Sequence, residues 1–175
     1  MDSKSRRVYL RQPRADDFEA LAHLYRISRK HLKGLAATDY DRAKFDRMLI
    51  DAMHESNEYF LICRTDDDVI VGQINLSQIF RKAFQNAYLG YQLFSGFTGN
   101  GYMTDAVADV LRFAFMNLRL HRIEANVQPS NLPSMKVLAR NGFTKEGYSR
   151  RYLKIAGRWR DHERWAIIRE DWNKR

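Results

Sequence analysis

Gly99-Asn100-Gly101-Tyr102-Met103-Thr104 breaks a strand-like run and opens a long amphipathic segment, and the chemistry such an arrangement serves is anion binding. The first four N–H groups of a helix have no internal acceptor and sit at the positive end of its dipole, so a bend that exposes them attracts a phosphate. Glycine at 99 and 101 lets backbone approach a ligand with no Cβ in the way. An ordinary turn before a helix has the same composition, so these six residues alone leave both readings open. A second cluster, Asn131-Leu132-Pro133-Ser134, spaces an amide and a hydroxyl one helical turn apart. Both residue types cap helices, and Pro133 suits a first helical turn.

Several other chemistries lack their residues. The five histidines (His23, His31, His54, His121, His162) contain no HxxxH pair, and one cysteine supports no zinc pattern. The glycine turn has no following Gly-Lys-Ser/Thr, as a nucleotide-hydrolysing P-loop requires. It also falls after the fourth strand-like run, whereas a dinucleotide fold places its glycines after the first strand of a βαβ unit. Ser134 lacks the G-x-S-x-G setting of a hydrolase nucleophile. Asp66-Asp67-Asp68 has no later acidic ligand and reads as a solvated turn rather than a calcium loop.

The surrounding pattern supplies the elements that must position these clusters. Val8-Tyr9-Leu10 starts a strand that Pro13 ends. From Ala15, Phe18, Leu21, Ala22 and Tyr25 recur at helical spacing, and a second helix is predicted from about Asp39 to Glu55 with Phe45, Met48, Leu49 and Ala52 on its core face. His31 to Thr38 between them is irregular and is expected to line a substrate cleft. Three strands follow, Glu58 to Arg64, Val69 to Ser77 and Ala87 to Phe94, the first two joined by Thr65 to Asp68 and the last two by Lys82 to Asn86.

Beyond the glycine turn, Val107, Val110, Leu111, Ala114 and Leu118 mark a helix to about Leu118, and Ile123 to Val127 is a strand. A short helix after Pro129 ends at Asn141-Gly142, where Gly142 suits the left-handed C-terminal position. Phe143 to Leu153 and Arg158 to Ile168 close the chain as strands around Ala156-Gly157. The order βααβββαβαββ makes a mixed α/β sheet with the phosphate turn between its fourth strand and third helix.

The bulk numbers suit one domain spanning residues 1–175: 45% hydrophobic content is enough for a complete core and too short a chain for two ordinary ones. No apolar run reaches bilayer-spanning length, and Met1 to Arg7 lacks the apolar segment of a signal peptide, so a cytoplasmic protein is expected. Cys63, inside Tyr59-Phe60-Leu61-Ile62-Cys63, is expected to be a buried packing residue. A net charge of +9 implies an anionic partner, for which RNA, a ribosome and a polyphosphate ligand all qualify. Arg150, Arg151, Lys154, Arg158 and Arg160, interleaved with Tyr148, Tyr152 and Trp159, form either an RNA-facing surface or two solvated strand faces.

In combination, Leu89-Gly90-Tyr91-Gln92-Leu93, Gly99 to Ala106, Asn131-x-x-Ser134 and Val137-Leu138-x-x-Asn141-Gly142-Phe143 resemble the Gcn5-related N-acetyltransferase superfamily. Within it the chain is most similar to the RimJ/RimL-type protein N-terminal acetyltransferases. The resemblance runs from Val8 to Asp171-Trp172. Its C-terminal part, Lys145-Glu146-Gly147-Tyr148, Tyr152-Leu153, Gly157-x-Trp159-Arg160-Asp161-His162 and Asp171-Trp172, is nearest the RimJ branch, which acetylates the N-terminal alanine of a small-subunit ribosomal protein.

The resemblance implies a mixed, mostly antiparallel seven-stranded sheet, splayed between strands 4 and 5 and flanked by helices. Acetyl-CoA would lie in that notch, its pyrophosphate held by backbone N–H groups of Thr98, Gly99, Asn100, Gly101, Tyr102, Met103 and Thr104. Backbone of Gln92, Leu93 and Phe94 would pair with the pantetheine arm. Asn131 would bind the cofactor, and Ser134 would bind it and donate a proton to the leaving thiolate. The chain departs from the family at Thr98, usually glutamine or arginine, and at Met103, usually small. Tyr88 stands where many relatives carry a glutamate base, which leaves Glu124 as a candidate base beside the reading that it is a surface or salt-bridged residue.

Only a neutral amine attacks a thioester. An α-amine is about one-tenth neutral at pH 7, whereas a lysine is below about one part in a thousand, so a site without a strong base suits N-terminal amines. The expected activity is therefore acetyl transfer to the N-terminal α-amine of a protein, a ribosomal one, by direct attack in a ternary complex, with the basic surface meeting the ribosome and the chain acting as monomer or homodimer. Two alternatives stand beside it: a small-amine acetyltransferase for a polyamine or aminoglycoside, and a non-catalytic RNA- or ribosome-binding module on the same fold.

Overall fold

Alternation of apolar and polar residues along the strands, and a buried stripe on the helix after the glycine turn, sort the chain into a sheet with helices on both faces. The computed structural model describes residues 6–35 and 39–174. In chain order it has β1 (Val8–Arg11), a 3-10 turn (Ala15–Asp17), α1 (Phe18–Leu32), α2 (Arg42–Ala52), β2 (Glu58–Arg64), β3 (Ile70–Phe80) and β4 (Asn86–Leu93). Then come α3 (Tyr102–Arg112), β5 (Arg122–Val127), α4 (Leu132–Arg140), β6 (Thr144–Ile155), β7 (Arg158–Ile168) and the short α5 (Arg169–Trp172). The seven strands lie in the order β1-β2-β3-β4-β5-β7-β6. Every neighbouring pair is antiparallel except β4 and β5. Among the described residues no helix is long and apolar enough to cross a membrane.

Each face of the sheet has its own apolar cluster. On one, Met103, Ala106, Val107, Val110 and Leu111 of α3 and Leu138 of α4 pack against Ile74, Leu76, Leu89, Ile123 and Ala125. On the other, Leu21 and Tyr25 of α1 and Phe45 of α2 cover Leu61, Cys63 and Phe94. Leu21, Phe45 and Leu111 are at most 1% exposed, and full burial of such a side chain stabilises by roughly 1.5–3 kcal/mol, so each helix is anchored chiefly by its apolar face. Cys63 is fully buried, as its apolar setting predicts.

Element boundaries differ from the sequence reading in places with local causes. The second helix starts at Arg42 because the Asp41 carboxylate accepts the Lys44 N–H at 2.8 Å and caps it, and it stops at Ala52 rather than Glu55. β3 continues to Phe80 because a bulge after Ser77, with Gln78 at φ 51°, lets Phe80 pair with Asn86. The helix expected to reach Leu118 leaves α geometry at Phe113 and widens into a π turn over Phe113–Asn117. Residues 36–38 of the expected cleft segment, and Met1 to Ser5, lie outside the described residues.

The feature that matters for function is the seam between β4 and β5. The two strands pair at Asn86–Arg122, Ala87–Ile123 and Tyr88–Glu124 and no further, while both chains run on to Leu93 and Val127. Past Tyr88 the sheet parts, with β4 still bound to β3 and β5 to β7.

Candidate active site

At the mouth of this seam the glycine turn feeds directly into α3. Gly99 and Gly101 take φ +83° and +78°, the left-handed region that disfavours any residue with a Cβ, and Gly101 is the N-cap. The first internal bond of α3 runs from Asp105 N–H to the Gly101 carbonyl at 3.1 Å, so the N–H groups of Tyr102, Met103 and Thr104 precede the helical ladder. A Cβ built at Gly99 would meet nothing within 4 Å, which leaves open space beside the turn. The Met103 side chain is buried in the α3 core, so only its backbone faces the turn. Thr98 and Asn100 are exposed, and the Asn100 amide is turned back on the Phe97 and Thr98 carbonyls.

One cation at this turn was not legible in the local sequence. Arg7, from the segment before β1, donates from Nε and Nη2 to the Asp105 carboxylate at 2.8 and 2.9 Å and from Nη1 to the Asn100 carbonyl at 2.8 Å. A Cβ at Gly101 would come within 2.6 Å of its guanidinium. The turn is thus flanked by an Arg7–Asp105 ion pair in addition to the helix dipole.

The ladder phase decides which β4 groups line the gap. Phe94 N–H donates to the Val71 carbonyl at 3.0 Å, and alternation along an antiparallel pair then turns Gln92 to β3 as well. The backbone groups of Tyr91 and Leu93 face the seam instead. Of the expected strand-edge residues, Leu93 is therefore placed to pair with a ligand, while Gln92 and Phe94 are committed to the sheet. The Gln92 side chain points to the α1 face, where it donates to Tyr25 Oη at 2.5 Å and Gln73 Oε1 at 3.2 Å.

Across the gap stands the N-terminus of α4. Asn131 Oδ1 accepts the Ser134 N–H at 3.3 Å, so Asn131 is the helix cap, and both residues line the gap. Ser134 Oγ lies 2.7 Å from the Tyr91 hydroxyl, a contact that joins β4 to α4 over the parted strands. Burial pushes the Tyr91 phenol up to about 12, partly opposed by its bond to Ser134, so the phenol keeps its proton at neutral pH. Tyr91 belongs to the sequence pattern but its contact with Ser134 spans 43 residues and needed the fold.

Tyr91, Ser134 and Asn131 share a cavity of about 170 Å³ with Gly90, Asn126 and His162. Leu35 from the loop after α1, and Leu153 and Ile155 from the β6–β7 hairpin, close its acceptor side, which places part of the expected His31 to Thr38 cleft segment there. Gln128 Nε2 donates to the Gly34 carbonyl at 2.8 Å and ties that loop to the end of β5. Glu124 is not in the cavity wall. Arg122 Nε donates to its carboxylate at 2.8 Å and also pairs with Glu146, so Glu124 is half of an ion pair. Tyr88, in the place of the usual glutamate, is raised by burial and by Glu124 and stays protonated. Among the described residues no cluster of three or more His, Cys, Asp or Glu side chains could hold a metal ion.

Exposed amides at the start of α3, an unpaired strand edge running inward from them, and a Tyr91–Ser134 hydroxyl pair where the strands part are the setting of an acyl-CoA-dependent N-acyltransferase. The chain belongs to the acetyltransferase (GNAT) domain family, whose model matches residues 7–144. It is 39% identical over 176 residues to the probable N-acetyltransferase YjcK of Bacillus subtilis, covering 96% of this chain and 97% of that one. It is 38% identical over 126 residues to the [ribosomal protein uS5]-alanine N-acetyltransferase of Escherichia coli, covering 71% and 65%. Its structure superposes on Mycobacterium smegmatis RimJ in complex with CoA-disulfide with a TM-score of 0.85 and 34% identity, over 93% of this chain and 82% of that one. The protein is an N-acetyltransferase and acetyl-CoA is its cosubstrate. The left-handed glycines, the open space at Gly99 and the free edge at Tyr91 and Leu93 fit that ligand.

Proposed function

We propose that this acetyltransferase modifies the N-terminal α-amine of a protein, with a ribosomal protein as its acceptor. The observation that carries this reading is the cavity wall: among the described residues it contains no aspartate, glutamate, lysine or arginine. A polyamine or aminoglycoside carries several positive charges and calls for carboxylates around it, whereas a peptide N-terminus brings one ionisable amine and a neutral backbone. The 38% identity to an enzyme of ribosomal protein uS5 supports the same class of acceptor. The exposed β6–β7 hairpin, with Arg150, Arg151, Lys154 and Arg158 beside Tyr148, Tyr152 and Trp159, provides a basic, aromatic surface suited to approach a ribosome.

Acetyl-CoA supplies an acetyl group activated as a thioester. The chain's part is to hold and orient. The N–H groups of Gly99 to Thr104 take the diphosphate, and the β4 edge at Tyr91 and Leu93 aligns the arm as an added strand would be aligned. A β4 amide faces the developing negative charge on the carbonyl oxygen. Asn131 fixes the start of α4, and Ser134 gives its proton to the departing sulfur, with Tyr91 resupplying it. Positioning of two substrates in one gap is the largest contribution such a site makes.

The test is turnover of acetyl-CoA against peptides beginning with alanine, serine and methionine, with spermidine and an aminoglycoside alongside. Release of free CoA with the alanine or serine peptides, and loss of acetylation at one ribosomal-protein N-terminus in cells lacking this chain, are expected. Release with spermidine alone would move the acceptor to the small-amine class, and no release with any amine would make the chain a binding module.

A further inference from the structure

His162 is buried to 3% exposure on β7 and lines the cavity shared by Ser134 and Asn131. Its Nδ1 lies 3.0 Å from the Arg160 carbonyl oxygen. A carbonyl can only accept, so Nδ1 carries the hydrogen, and Nε2 is the ring nitrogen whose lone pair can take up a proton. Among the described residues Nε2 has no hydrogen-bond partner. Nearby on the same wall, the Asn126 side-chain oxygen is buried with no partner either. The β5–β7 register sets Asn126 opposite Arg164, so His162, two residues along, is on the same face as a diagonal neighbour. Gly90, which has no side chain to block the seam, also turns to that face.

We infer that Asn126 Oδ1 and His162 Nε2 form the seat of the acceptor amine, and that His162 is the general base of the transfer. This rests on the acetyl-transfer reading above and names a catalytic group within it. Of the described cavity-lining residues only Tyr91 and His162 carry an ionisable group, and Tyr91 is held protonated by burial, which leaves the imidazole to receive a proton. Around His162 the ionisable groups are Tyr152, whose ring lies 6.2 Å away on β6, Arg160, Asp161 and Glu163 on its own strand, and Arg164 on its face. Asp161 is occupied by Tyr148 and the Arg151 N–H, and Glu163 by Lys145 and Trp165. Glu124 lies one step behind Asn126 on β5, paired with Arg122.

The acceptor arrives as an ammonium, and Nε2 takes one proton to leave the neutral amine. Its nitrogen forms the new C–N bond as the C–S bond breaks. The second proton passes to water as the nitrogen becomes an amide, while the sulfur takes the Ser134 proton and Tyr91 restores it with one drawn from water. His162 returns its own proton to water when the products leave, so one ammonium and one thioester give one amide, one thiol and one proton.

The test compares wild type with His162→Gln and His162→Ala over pH 6–10, using an alanine-initiated peptide. In His162→Gln kcat/KM is expected to fall about 10-fold at pH 7, where only about one-tenth of an α-amine is already neutral. The deficit should shrink as pH approaches the amine's own titration, where neutral amine no longer needs a base. Added imidazole should restore part of the rate in His162→Ala. A readout independent of turnover is the nitrogen NMR signature of the ring, expected to show hydrogen on Nδ1 and none on Nε2. A deficit equal at every pH, absence of imidazole rescue in a variant that still shows the CoA-induced thermal shift, or a ring carrying its hydrogen on Nε2 would overturn the assignment. So would a pH-dependent loss found in Glu124→Gln instead. If wild type acetylates no amine at all, the acetyl-transfer reading fails, and that outcome is separate from these.

Discussion

Replacing Gly99 with alanine isolates the phosphate cradle from the packing of the chain. The residue sits at φ +83°, and left-handed backbone costs an L-residue roughly 1–2 kcal/mol. Because a Cβ there meets nothing within 4 Å, strain is the whole intramolecular penalty. At about 2–4 °C per kcal/mol for a chain of this size, the melting temperature should fall by about 2–8 °C. Gly157 in the β6–β7 turn has φ +78° and is also open, so Gly157→Ala should lose a similar amount of stability and serves as the control. The two variants should differ in CoA affinity. A methyl group at Gly99 displaces the diphosphate from at least one N–H, and a hydrogen bond to a charged group is worth about 1.5–3 kcal/mol, which raises Kd about 10- to 150-fold. Calorimetric titration of CoA, or the CoA-induced thermal shift measured from each variant's own apo midpoint, removes the common strain. A Kd for Gly99→Ala within about twofold of wild type would refute the cradle. Gly101→Ala should lose binding as well, with up to about 1 kcal/mol of further destabilisation because its Cβ evicts the exposed Arg7 from Asp105.

Ser134→Ala should lower turnover at least about tenfold while CoA affinity stays near wild type, since α4 keeps its Asn131 cap; steady-state rates and titration check this, and unchanged turnover would remove Ser134 as the proton donor. Asp17→Asn should destabilise by about 1–3 kcal/mol in urea unfolding, because Arg11 loses a partner at 2.6 and 2.8 Å in a half-buried setting. Burial raises the Asp17 pKa, but the Arg11 guanidinium and the Arg14 N–H more than offset it and hold the carboxyl below its ordinary value. A depressed folded pKa contributes stability that is complete above the unfolded value and fades as pH falls through the folded one, so the gap between variant and wild type should close below about pH 4. Cys63, fully buried and with its thiol raised by that burial, should resist alkylation in the native protein and react only on unfolding.

Local pattern carried the order of elements and the glycine turn, because those depend on residues within a few positions of one another. The α3 stripe, the Asn131 and Pro133 helix start and the Gly142 end are all of that kind. What was hidden depends on register or on contacts across the chain. Alternate β4 residues have identical composition signals, and only the Phe94 to Val71 bond shows that Leu93 rather than Gln92 borders the seam. Arg7 reaches Asp105 over 98 residues, and Tyr91 reaches Ser134 over 43. His162 belongs to the Gly157-x-Trp159-Arg160-Asp161-His162 motif, yet its place beside Asn131 and Ser134 needed the hairpin folded back over the gap. The π turn after Arg112 has no residue signature that separates it from a continuing helix.

Among the described residues, three ladder pairs and the Gln85 carbonyl bonded to the His121 and Arg122 N–H groups are the backbone that bridges β4 to β5. Mechanically this is a hinge line awaiting a splint: a bound thioester arm would lie along it and lace the four-strand and three-strand slabs together. Slow amide exchange should therefore spread, on ligand binding, to β4 and β5 residues remote from any ligand atom, so that occupancy and rigidity rise together.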